Sequence, residues 1–226
     1  MRITSLLLTV LALTSPFASH AQVAATYEEP TANRVFRVDS EASWLRVLAY
    51  PDGPLKRFGH HHVIAHRGFT GIVDVAPDPL DSTFALEIAV ADLEVDKAEM
   101  RALEGEDFED EVPQKDIDGT RANMLGEKLL HGDQFPTIRI QSSAIEGSLP
   151  DVNIVTTLLV KGMEQSVSFP ASITLTEDAF VASGELEITH GGLGLSQFTA
   201  MGGALSVRDL LVLKYEISGT LAPDSE

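Results

Sequence analysis

No cysteine occurs in the chain, so no disulfide can staple it and its stability has to come from a buried core. Cations are scarce. Lys and Arg number 16 against 34 Asp and Glu, a formal charge of −18 that repels nucleic acid and anionic membrane surfaces and otherwise reads as solubility or adaptation to salt. Beyond the first residues, no apolar run approaches the roughly 18 residues of a membrane helix, so no transmembrane segment is expected. The usual catalytic signatures are missing as well: there is no Gly-x-Ser-x-Gly elbow, phosphate loop or dinucleotide fingerprint. Asp116-Ile117-Asp118-Gly119 lacks the ligand spacing of an EF-hand, so the acidic stretch Asp92 to Asp118 reads as a solvated face. Enzyme activity has no positive support.

What is present begins with a short basic head, Met1-Arg2-Ile3, followed by the apolar run Leu6 to Leu13, Pro16 and small residues. This is the pattern of a secretory signal peptide, and Ser19-His20-Ala21 places cleavage after Ala21. The expected product starts at Gln22, is periplasmic or secreted, and without cysteine cannot be an acylated lipoprotein. Loss of Arg2 brings its charge to −19, 15 cations against 34 anions. About 205 residues suffice for one domain. The expected division is a polar tether over 22–33, a barrel domain over 34–221 and a polar tail over 222–226.

From residue 34 the pattern has period two, the mark of strands with one buried face. Val167, Phe169, Ala171, Ile173 and Leu175 alternate with small, hydroxylated or proline residues, and Phe84, Leu86, Ile88 and Val90 repeat the device. Leu211, Leu213, Tyr215 and Ile217 do likewise, as do Ala182, Gly184, Leu186, Ile188 and His190. Further strands are expected near Val35–Asp39, Ser43–Tyr50, Phe69–Ala76, Thr137–Ser142 and Val152–Val160. Turn clusters such as Glu146-Gly147-Ser148-Leu149-Pro150 separate them. Many short alternating strands need closure to hide their edges, so the fold class is mainly β, an antiparallel barrel. A short helical excursion, Lys97–Leu103 and about Gly119–Leu130, interrupts it and is expected to cap one end or lie along the side.

Several segments resemble the YceI-like family of exported polyisoprenoid-binding proteins, which have a lipocalin-like barrel. They are Phe36-Arg37-Val38-Asp39 with Ser43-Trp44-Leu45-Arg46-Val47, Gly68-Phe69-Thr70-Gly71-Ile72-Val73, and Asn123 to Leu130 leading into Gln134-Phe135-Pro136-Thr137. Leu158 to Met163 with Val167-Ser168-Phe169-Pro170 and Leu193 to Phe198 with Val207-Arg208-Asp209 complete the set. The family's Asp-Phe-Gly before the closing segment is replaced here by His190-Gly191-Gly192-Leu193-Gly194. The resemblance implies a lipocalin-like barrel with a tunnel for an isoprenoid tail, of a polyprenyl phosphate or a quinone, its polar head at the mouth. Any single inward Phe or Leu would serve a filled core equally well. Under the resemblance the candidate ligand contacts are Phe58, His60, His62, Phe84, Leu86, Ile88, Phe135, Phe169, Leu186, Ile188, His190, Phe198 and Tyr215. No cofactor is required, the partner is an apolar isoprenoid-type small molecule, and the oligomeric state is left open, a dimer being one option.

The most unusual local feature is Phe58-Gly59-His60-His61-His62-Val63-Ile64-Ala65-His66. In an extended chain His60, His62 and His66 share a face and His61 points away. The alternative function is therefore a metal site on His60, His62 and His66, joined by His131 or His190, with redox or hydrolytic chemistry. The other readings are a polar rim that meets a ligand head group and an exposed loop.

Overall fold

The computed structural model describes residues 32–223. The expected signal peptide, the expected tether up to residue 31 and the last residues of the expected tail lie outside them. Alternation builds β1 (Arg34–Val38), β2 (Trp44–Ala49), β3 (Pro51–Asp52), β4 (His62–Arg67), β5 (Thr70–Val75), β6 (Thr83–Ala89) and β7 (Glu94–Val95). Two helices follow, α1 (Ala98–Arg101) and α2 (Gln114–Leu125). Then come β8 (Thr137–Ser148), β9 (Asp151–Val160), β10 (Met163–Leu175), β11 (Ala179–Thr189), β12 (Thr199–Ala200), β13 (Leu205–Val207) and β14 (Leu210–Leu221).

The ladder runs β1, β5, β6, β8, β9, β10, β11, β14 and returns to β1 through Phe36 opposite Leu221. The result is a closed, antiparallel barrel of 8 strands with the lipocalin-like fold. Closure leaves none of these strands with a free edge. β2 and β4 are the upper halves of interrupted staves: Arg37 faces Ile72 in one pair, and Trp44 faces Arg67 further along the same antiparallel run. Sequence explains the interruption. Asp39 Oδ1 accepts from the N–H groups of Glu41 (2.9 Å) and Ala42 (3.2 Å), a local turn that lifts residues out of the ladder. Ser43 then locks the chain back onto β14, accepting from Ser218 N–H at 3.0 Å.

Short turns close one end, at 76–82, 149–150 and 176–178, while 50–61, 90–136 and 190–209 all emerge at the other. The helical excursion does both things the sequence left open. α1 and the turn that carries Phe108 lie outside the barrel, where Met100 and Phe108 cover Leu48, Val63 and Ala65. The buried Glu104 carboxylate pins this segment, bridging Arg46 and Lys214 (2.6 Å) from neighbouring strands. α2 crosses the mouth. It starts at Gln114, earlier than the Gly119 expected, because Pro113 sits just ahead of the first turn, where its missing N–H leaves no hydrogen bond unmade. α1 is correspondingly shorter than Lys97–Leu103.

Candidate functional site

The inward side chains pack against one another along the wall but do not fill the middle of the barrel. Phe36, Phe69, Leu86, Ile88, Phe180 and Ile217 belong to the main apolar cluster, yet the barrel retains a cavity of about 700 Å³. That volume lies within the range of roughly 300–1,000 Å³ typical of small-molecule sites. Its lining runs from Pro79, Leu149 and Leu175 at the short-turn end to Phe58, His60 and Ser206 at the other, so the hollow follows the barrel's length. Among the described residues, only two lining side chains carry a formal charge, Lys115 and Asp116, both on α2 at the mouth.

Two features keep the walls smooth. A Cβ at Gly184 would lie 2.4 Å from Pro170 O and 2.6 Å from the Tyr215 hydroxyl, so glycine lets the tyrosine lie across β11. Tyr215 donates to Pro170 O at 2.7 Å and its ring meets Phe169 edge-on at 5.5 Å. Burial pushes its ionisation well above the ordinary tyrosine value, so it stays a neutral donor.

The strand candidates Phe84, Leu86, Ile88, Phe169, Leu186, Ile188 and Tyr215 all line the hollow, as do Phe58, His60, His62, His190 and Phe198 around its mouth. Phe135 does not. Its ring packs over the turn at Gly162, where an added Cβ would sit 2.7 Å from Phe135 Cε1, so it buttresses a hairpin instead of facing the cavity. His190 is 4% exposed, and its Nδ1 lies 3.0 Å from the Asp209 backbone carbonyl, tying the segment that closes the barrel. Four mouth residues were not foreseen: Lys115, Asp116, Thr120 and Asn123 share one face of α2 and line the opening. Their only sequence signal was a polar helix face, which a solvated surface would share.

Around the histidines the geometry is specific. His61 turns outward, its ring against Tyr50 and Phe108 and its Nδ1 2.7 Å from Asp107 O. His60 Nε2 is 3.3 Å from Asp116 Oδ2. His62 Nδ1 is 2.5 Å from Asp96 Oδ2, and its Nε2 is 3.2 Å from Thr120 Oγ1. Asp96 is fully enclosed and adopts φ +53°, a conformation that a short polar side chain tolerates better than most. Burial alone would raise its carboxyl pKa. Hydrogen bonds from His62, the Val63 N–H and Arg101 outweigh that and hold it below its usual 3.8.

The alternative metal set of His60, His62 and His66 does not assemble. Among the described residues no group of three His, Asp or Glu side chains is placed to share a metal ion. His60 and His62 are engaged by carboxylates, and His66 is 1% exposed, its ring against Phe69 at 4.9 Å and outside the cavity lining. Neither ring nitrogen of His66 makes a hydrogen bond of good geometry. Burial lowers its pKa from 6.5, and the nearby Asp92 and Glu94 oppose this without reversing it. The unfolded chain therefore binds a proton that the folded one refuses. Stability is full above about pH 6.5 and falls as the pH drops below it. Urea melts at pH 5.5 and 7.5 should show that slope in the native protein and a shallower one in His66→Phe; equal slopes would remove His66 as the cause.

A family model described as the YceI-like domain matches residues 36–218. In structure the chain is similar to Burkholderia cenocepacia BcnA, with a TM-score of 0.57, 17% identity, and coverage of 80% of this chain and 98% of that one. It is also similar to a Campylobacter jejuni YceI variant crystallised with a monobromobimane guest, with a TM-score of 0.50, 11% identity, and coverage of 69% of this chain and 82% of that one. At such identities the likeness concerns the fold. No curated protein matches the chain in sequence.

Proposed function

Because the chain belongs to the YceI-like family, a barrel fold that binds apolar ligands, we propose that it is an exported carrier or sequestering protein that holds the tail of an isoprenoid-type lipid in its barrel, without catalysis or cofactor. The observation that carries this reading is the apolar hollow of about 700 Å³. Each methylene moved from water into it contributes about 0.8 kcal/mol, so affinity grows with tail length and needs few polar contacts. The head rests at the mouth, among His60, Asp116, Thr120 and Asn123.

Of the two heads the resemblance implies, the uncharged one fits better. Among the described residues, a polyprenyl phosphate would meet one lining cation, Lys115, with the Asp116 carboxylate next to it, and no lining guanidinium. A quinone-type head, oxidised or as the quinol, brings no charge into that setting.

Native mass spectrometry of protein purified from an exporting bacterial host tests the carrier reading. The expected result is a retained mass that organic extraction releases as a prenyl lipid and that the stripped protein takes up again. A barrel that is always empty, and that refuses added prenyl lipid, sinks it.

A further inference from the structure

Resting on the reading of the barrel as a lipid carrier, we propose that Thr120, oriented by His62 and Asp96, selects isoprenoid chains that end in a hydrogen-bond donor, an alcohol or quinol hydroxyl, over the same chains ending in an ether or carbonyl.

The argument follows protons along one chain of hydrogen bonds. Asp96 is an ionised, acceptor-only group. Its Oδ1 accepts from the Val63 N–H at 2.9 Å and from Arg101 Nη1 at 2.7 Å. Arg101 is itself held in place, donating also to His61 O at 2.6 Å and Asp110 O at 2.9 Å. The second oxygen, Oδ2, takes the Nδ1–H of His62 at 2.5 Å. A neutral imidazole with its proton on Nδ1 has only a lone pair on Nε2. When the imidazole carries that single proton, Thr120 Oγ1, 3.2 Å away, is the donor in that contact.

A hydroxyl has one hydrogen, and here it is spent on His62. What Thr120 turns toward the cavity it lines is lone pairs alone. Asp116, beside it on the same helix face, also presents only acceptors. Of the donors near the mouth, Lys115 and Asn123 are solvent-exposed and His60 and Ser206 sit on other segments of the rim, whereas Thr120 is half-buried at the inner edge of α2. A head group that reaches Thr120 thus completes a hydrogen bond if it donates, and leaves two acceptors facing each other if it does not.

Asp96 is a positioning residue in this scheme, which gives it a distinctive test. In Asp96→Asn the amide oxygen must still face the two donors Val63 N–H and Arg101, so the NH2 faces His62 Nδ1. That reverses the imidazole tautomer, as carboxylate-to-amide changes do beside other histidines. Nε2–H then donates to Thr120, whose own hydrogen swings into the cavity.

The experiment offers stripped protein an equimolar mixture of geranylgeraniol and its methyl ether and reads the bound ratio by native mass spectrometry. The native protein should favour the alcohol about tenfold, the worth of one hydrogen bond in a partly buried site. Thr120→Val, close in shape, should take the two equally, and Asp96→Asn should shift the preference toward the ether. Equal uptake by the native protein, or an alcohol preference that survives in Thr120→Val or Asp96→Asn, overturns the proposal. If neither compound is retained by the native protein, the carrier reading falls first and takes this one with it.

Discussion

Ala182→Trp is expected to abolish retention of long prenyl chains while leaving the barrel folded. Ala182 lies on β11 with its side chain toward the cavity, flanked across the ladder by Ile173 and Ile217. An indole there projects into space that already exists, so the overpacking penalty of a filled core does not apply. It displaces at least one isoprene unit, about five carbons, and at about 0.8 kcal/mol each that is about 4 kcal/mol, a fall of roughly a thousandfold in affinity. Val181 is the control. Its side chain points to the opposite face and is 36% exposed, so Val181→Trp should bind like the native protein. Competitive uptake measured by native mass spectrometry, with melting curves beside it, separates the cases. Undiminished binding in a folded Ala182→Trp would mean that the ligand sits elsewhere.

The contrast between these adjacent positions was legible in the sequence, because period two assigns a face to every residue of a long strand. That is why most of the inward residues of β6, β10, β11 and β14 could be named beforehand and line the hollow, Ala171 and Gly184 being exceptions. The same logic was blind to β4. Its cavity side carries His62 and Ile64, while its outward Val63 and Ala65 are buried under Met100 and Phe108. Both faces of that strand are covered, so no alternation of polarity survives. Glu104 belonged to an acidic run that read as solvated, yet it is buried between Arg46 and Lys214, partners from distant parts of the chain. Asp116 and Thr120 were hidden for a related reason. A polar helix face looks the same in sequence whether it meets water or the mouth of a tunnel, and only the direction in which 90–136 folds over the barrel decides between them.

That direction depends on the Asp96 carboxylate, so Asp96→Ala is expected to be the most destabilising single change at the mouth. The substitution leaves Arg101 buried without its carboxylate partner, removes the acceptor for Val63 N–H and frees His62. Breaking one side of a buried pair costs about 3–5 kcal/mol, because the remaining charge is uncompensated. For a domain of this size that is a fall of roughly 10 °C in Tm. The sign of its pH dependence follows from the depressed carboxyl. Asp96 contributes fully above the unfolded value of 3.8 and loses its contribution as the pH falls below that, so the native protein and Asp96→Ala should converge in stability toward pH 3. Adding Arg101→Met to Asp96→Ala should recover part of the loss, since the stranded guanidinium is then gone and an apolar chain can pack against Phe108 in its place. Urea unfolding of the two single variants and the double variant at pH 7 measures this directly. A double variant as unstable as the sum of the singles would show that Asp96 and Arg101 act independently, and the ion pair would then not be what holds the excursion across the barrel.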